Sequence, residues 1–196
     1  DAALAIDAGN PEARLWRGIA HANWGACAAR RGADPEPSWA AALAEFEELR
    51  KRAPGHVEAW WRAGAVRADA GRRRASRGED PQAFFAAAIA EFDRALELVP
   101  SATAVRLARG NAHLDAGVHL QDRGQDPERP YAAAMAEFEE VLRLEPQSAG
   151  ARLSRGILRY NLGNRASATG ADPGAHYAAA LIDLDQVIRV APADPS

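Results

Sequence analysis

"RRGADPEP", residues 30–37, returns as "SRGEDPQA" at 76–83, "DRGQDPER" at 122–129 and "ATGADPGA" at 168–175. Each residue type in the phrase has a task at a helix boundary. Gly32 accommodates the left-handed conformation that ends one helix, and Arg31 is favourably placed at that helix's negative end. Asp34 accepts hydrogen bonds from the first amides of the next helix, and Pro35 fits its first position, where no N–H is needed. The phrase therefore reads as stop, turn, start. An Arg-Gly-Asp-like ligand or a phosphate cradle is disfavoured, because capping accounts for every residue type and Thr169 replaces the arginine in the last copy.

The Asp-Pro pairs begin at Asp34, Asp80, Asp126 and Asp172, a constant step of 46 residues. The same step links Gly18, Gly64, Gly110 and Gly156, then Gly25, Gly71, Gly117 and Gly163. It also links the aromatics Trp39, Phe85, Tyr131 and Tyr177, and the prolines Pro54, Pro100, Pro146 and Pro192. Four copies in unbroken register imply four copies of one structural unit. In each, a proline-free stretch ending on glycine precedes a stretch that opens on Asp-Pro and closes before proline, the pattern of two helices.

The second unit carries Trp60, Gly64, Gly71, Phe85, Ala88, Phe92, Ala95 and Pro100. In order and role these residues resemble the tetratricopeptide repeat, and the resemblance covers essentially the whole chain. It implies an all-α fold: a right-handed α-solenoid of four antiparallel helical hairpins forming a single domain over 1–196. The units are expected at 9–54, 55–100, 101–146 and 147–192, with residues 1–8 the tail of a preceding helix, so that the chain reads as part of a longer protein. The family repeat has about 34 residues. Here the additional residues lie between Gly71 and Phe85 and their equivalents, in the turn of the hairpin. Shared between two arms, they predict elongated helices of roughly 19 or 20 residues, about 30 Å at ~1.5 Å per residue, rather than long loops.

A second departure is a stripe of arginines on the first helices: Arg14, Arg106 and Arg152, then Arg17, Arg109 and Arg155, with His21, Arg67, His113 and Arg159 beyond. Such a stripe suits an anion groove. Internal pairing is favoured, because Glu45, Glu137 and Asp183 each follow an arginine by 28 residues and the net charge is −3. The cluster "GRRRASRG", 71–78, is not repeated in the other copies and reads as arginines at a helix C-terminus.

The resemblance implies a noncatalytic protein–protein interaction scaffold that takes a peptide or partner helix on a concave face lined by the first helices. Its candidate residues are Leu15, Trp61, Leu107 and Leu153, then Asn111, then Asn23, Asp69, Asp115 and Asn161. Similar arrays are attached to bacterial signalling proteins. The alternative readings are a self-associating structural spacer, with end-to-end homo-oligomers, and weak nucleic-acid binding through the arginine stripe. The last is disfavoured by the acidic balance of charge.

No cofactor, metal or catalytic residue is expected. The chain lacks a His-Glu-x-x-His motif, a phosphate loop and a nucleophile elbow. His113 and His119 fall on opposing sides of a helix, and the lone Cys27 excludes an internal disulfide or a multi-cysteine zinc site. No apolar run approaches the ~20 residues of a membrane span. A cytoplasmic location is expected.

Overall fold

A computed structural model describes residues 10–190. The expected helix tail at 1–8 and the last repeated proline, Pro192, lie outside the described residues. Eight helices follow in chain order: α1 (Pro11–Arg30), α2 (Glu36–Arg52), α3 (Val57–Ser76), α4 (Gln82–Leu98), α5 (Thr103–Asp122), α6 (Glu128–Leu144), α7 (Ala149–Ala168) and α8 (Gly174–Val190). No strand occurs among the described residues. The chain divides into two compact units, Asp1–Val105 and Arg106–Ser196, with the division in the first turn of α5.

The turns fold as their sequence dictates. Gly32, Gly78, Gly124 and Gly170 have φ of +74°, +74°, +68° and +78°. Beyond the first of them, the Ala33 amide donates to the Ala28 carbonyl (2.9 Å) and the Gly32 amide to that of Ala29 (3.1 Å), closing the helix end in a Schellman motif. The same pair of bonds recurs in the other three turns. Asp34 Oδ1 accepts from the Glu36 amide at 3.2 Å, and Asp80, Asp126 and Asp172 do the same at 3.0, 3.1 and 2.8 Å. Pro35 already has helical dihedrals, φ −86° and ψ −17°.

The extra length of each repeat is helix, as expected, but it is not shared equally. The first helix of every hairpin has 20 residues and the second 17. The second arm stops early because the residue before a proline is driven out of the helical region. Ala53, ahead of Pro54, sits at φ −135°, ψ 78°.

Two levels of glycine-to-side-chain packing hold each hairpin. At the lower level, a Cβ on Gly18 would stand 2.5 Å from the Phe46 ring, and one on Gly64 or Gly110 would stand 2.6 Å from Phe92 or Phe138. At the upper level Trp39, Phe85, Tyr131 and Tyr177 press on Gly25, Gly71, Gly117 and Gly163. This upper level is what binds the elongated part of the arms together. Apolar residues at i, i+4 and i+7 on the second helix, Ala42, Phe46 and Leu49 in the first copy, give it one buried stripe. In the first unit they form a core with Leu15, Ile19 and Trp39, closed over by Ala59, Ala63, Val66 and Ala70 of α3. The second unit gathers Leu114, Tyr131, Ala134, Phe138 and Leu158. Burying each phenylalanine contributes roughly 1.5–3 kcal/mol.

Candidate functional site

The arginine stripe is used inside the fold. Glu45 accepts from Arg14 at 3.2 Å and from Arg17; Glu137 accepts from Arg106 at 3.4 Å and from Arg109. Asp183 takes a bidentate pair of bonds from Arg155 (2.6 and 2.9 Å) and a third from Arg159 (2.7 Å). The hydrogen bonds it donates to Asp183 hold the Arg155 guanidinium above its ordinary pKa, against the opposing effect of burial. Each of these hairpins thus fixes one carboxylate between two guanidiniums, whose planar forks suit such partly dry pairing.

The second hairpin builds the same clamp differently, in a way the sequence reading missed. Its carboxylate is Glu91, one 46-residue step from Glu45, but Ala63 stands where Arg17 would be. Glu91 instead receives Arg67 (3.3 Å) and Arg50, the latter from the second helix of the preceding hairpin. Arg50 also lies 4.3 Å above the ring of Trp60, whose equivalents in the other copies are the arginines 14, 106 and 152. The carboxylate keeps its place on the second helix, and one of its arginines has moved to the preceding hairpin. The signal was present as the fixed step to Glu91, without an arginine 28 residues earlier.

The basic cluster at 71–78 is likewise engaged in the structure. Arg72 pairs with Asp69, Arg73 donates to the Ala33 carbonyl (3.0 Å), and Arg74 pairs with Glu79 (2.7 Å). Arg73 therefore braces the turn of the preceding hairpin, a role beyond the helix-end placement read from sequence. Arg165, two steps along, does the same through Asp126 (2.7 Å).

The candidate groove residues fall in different environments. Leu15 is 4% exposed and belongs to the core of the first unit, so it supports that face from behind and is closed to a ligand. Asn23 is exposed, and Trp61 and Asp69 are half-buried. The Arg62 guanidinium covers one face of Trp61 at 4.5 Å. In the second unit Leu107 packs at the edge of the core; Asn111, Asp115 and Asn161 are half-buried; Leu153 is exposed, as is Ile157 one turn on. Cys27 is free and half-buried. Among the described residues no cluster of His, Cys, Asp and Glu could hold a metal ion, and no helix is long and apolar enough to cross a membrane.

The second unit also contains one strongly shifted tyrosine. Burial pushes the Tyr131 hydroxyl up to about 12, Asp122 adds to the rise and Arg165 opposes it. The hydroxyl donates to Gln121 Oε1 at 3.2 Å, and Tyr177 donates likewise to Asn164 at 2.9 Å.

No family model matches the chain, and no curated protein sequence matches it. Among solved structures, the crystal structure of MamA matches with a TM-score of 0.53 at 16% identity, over 96% of this chain and 86% of that one. MamA from Desulfovibrio magneticus RS-1, spanning residue 41 to the end, matches at 13% identity over 92% and 98%, with a TM-score of 0.33. YrrB, described as a TPR protein with an unusual peptide-binding site, matches at 18% identity over 97% and 91%, also at 0.33. The likeness in fold rests on the first of these. Together with the hairpins repeated every 46 residues, it shows that this chain has a tetratricopeptide-like fold of helical hairpins.

Proposed function

We propose that the chain is a noncatalytic interaction scaffold that takes an apolar helix or extended peptide of a partner protein on the face of its first helices. One observation carries this reading. Leu15 and Ile19 of α1 are buried beneath α3, whereas their equivalents on α7, Leu153 and Ile157, stand open in the second unit. The chain thus presents a surface whose counterpart in its own first hairpin already receives a helix. Such a ladder of apolar residues at successive turns is the footprint an amphipathic helix needs. Asn111 and Asn161 beside it offer donors and acceptors to a peptide backbone.

The test is affinity capture from a lysate of the source organism, comparing wild type with Asn111→Ala/Asn161→Ala and with Leu153→Glu/Ile157→Glu. All three must first match in helicity and melting temperature. A partner held by wild type and lost by either variant is the expected result. Identical capture by all three removes the first-helix face from consideration.

A second reading, a self-associating spacer, draws on Leu181, Ile182 and Ile188, which are exposed together on α8. Sedimentation equilibrium decides it: concentration-dependent association abolished by Leu181→Glu supports the spacer, and a monomer at all concentrations rejects it.

A further inference from the structure

In the first unit a cleft of about 390 Å³ opens between α1 and α3, toward the turn end of the hairpins and apart from the leucine ladder on α7. Trp39 of α2 forms its floor. Arg30 lines it from α1, and Asp69, Arg72, Arg73 and Ser76 from α3. Trp39 is 3% exposed, yet its indole Nε1–H has no hydrogen-bond partner, and neither has the buried Nε–H of Arg73. Leaving a buried donor unmade costs about 1–3 kcal/mol, so two at one cleft require an explanation.

The repeat supplies it. At the position of Trp39, hairpin two has Phe85, which needs no partner. Hairpins three and four have tyrosines whose hydroxyls are satisfied by Gln121 and Asn164. Stepping back by the repeat from Gln121 arrives at Ala29, and from Asn164 at Ala26; both alanines line the cleft. The acceptor that a neighbouring amide provides elsewhere is thus missing here, and two alanines at the edge of the cleft stand in its place. A ligand oxygen would complete the pattern.

The charges define which oxygen. Three arginines face the cleft against one carboxylate, and that carboxylate, Asp69, is already paired with Arg72. Ser76 donates to the Arg73 carbonyl at 2.7 Å. What remains is a donor-only lining with positive charge in excess. A carboxylate has two oxygens and a single charge; a phosphoryl group has three terminal oxygens and close to two charges, the better match to several guanidinium and N–H donors. We propose that this cleft binds a phosphoryl group, with the Trp39 indole and the Arg73 Nε as fixed donors and Arg30 as its mobile charge. The shared chemistry admits two sources, free phosphate or a phosphorylated side chain of a protein.

The indole N–H resonance of Trp39 in a ¹H–¹⁵N spectrum of the whole chain reports directly on the orphan donor, and its loss in Trp39→Phe assigns it. Phenylalanine is native at the equivalent Phe85, so this variant is expected to keep its fold, with circular dichroism as the check. Titration with inorganic phosphate, at ionic strength held constant with chloride, is expected to move this resonance saturably. Loss of one hydrogen bond to the charged phosphate in Trp39→Phe weakens phosphate binding about tenfold or more by calorimetry, and Arg30→Gln, which removes a charged donor, weakens it by a similar factor. A phosphoserine peptide that binds more tightly than inorganic phosphate identifies the protein-borne source; equal affinity identifies the free ion. An unmoved resonance, or affinity unchanged in both variants, overturns the proposal. So does acetate acting as strongly as phosphate, which would make the site one for carboxylates.

Discussion

Asp183→Asn tests the energetic weight of the internal clamps. Asp183 is 1% exposed and accepts three hydrogen bonds from two guanidiniums. The substitution keeps the shape of the side chain, removes its charge and turns one acceptor into a donor that faces arginine nitrogens. Removing one partner of a buried pair costs about 3–5 kcal/mol. Here the side chains of Arg155 and Arg159 keep 20% and 23% of their exposure, so water recovers part of their solvation and the lower end applies. The expected loss is ~3 kcal/mol, or a fall of about 6–12 °C in melting temperature. It is read by urea unfolding followed by circular dichroism. Arg155→Met, Arg159→Met and Asp183→Leu combined should recover most of that loss, because an apolar triad replaces the desolvated charges. A loss below about 1 kcal/mol for Asp183→Asn would refute the reasoning and place the clamp with ordinary surface ion pairs.

Gly64→Ala sets helix propensity against packing. Alanine should gain about 1 kcal/mol in the helix, but its Cβ would stand 2.6 Å from Phe92 Cε1, and overpacking costs about 1–3 kcal/mol. A net loss is expected, partly recovered by adding Phe92→Leu, the pairing native to Gly156 and Leu184; Gly55→Ala, with nothing within 4 Å of its added Cβ, should be near neutral. A higher melting temperature for Gly64→Ala would contradict the close packing. Tyr131 predicts an alkaline effect. Its folded pKa, about 12, lies above the ordinary tyrosine value of 10.0, so the protonated hydroxyl favours the folded state. That stability is fully present below pH 10 and is lost as pH rises toward 12. Tyr131→Phe should flatten the melting temperature across this range, and an unchanged alkaline decline would exclude Tyr131 as its source.

The hairpins and their turns were legible because Gly-x-Asp-Pro acts locally: each cap is completed within six residues of its own chain. The clamps of Glu45, Glu137 and Asp183 were legible from a fixed spacing of opposite charges. Glu91 was hidden because its second arginine comes from another hairpin, where residue spacing within the copy gives no warning. The fates of Leu15 and Leu153 could not be separated either. They are the same residue at the same repeat position, and only the packing of a neighbouring helix distinguishes core from surface. The unpaired indole of Trp39 depends on what stands opposite it, two alanines on α1, and becomes apparent only once the hairpin brings them together.

The bond from Arg50 to Glu91 bears on how such a chain can be cut and rejoined. In the other copies the position of Arg50 holds Leu96, Leu142 and Ile188, and that of Trp60 holds arginine. The second hairpin placed after any copy but the first would lose one cation from its clamp and the nearer of two guanidiniums from its tryptophan. An arginine-bearing hairpin placed directly after the first would set two guanidiniums at one carboxylate's edge and leave a third nearby. Equal length makes the four units look exchangeable, but this junction admits one order. Recombination between copies, or a designer shuffling them, would have to move the first two hairpins as a single piece.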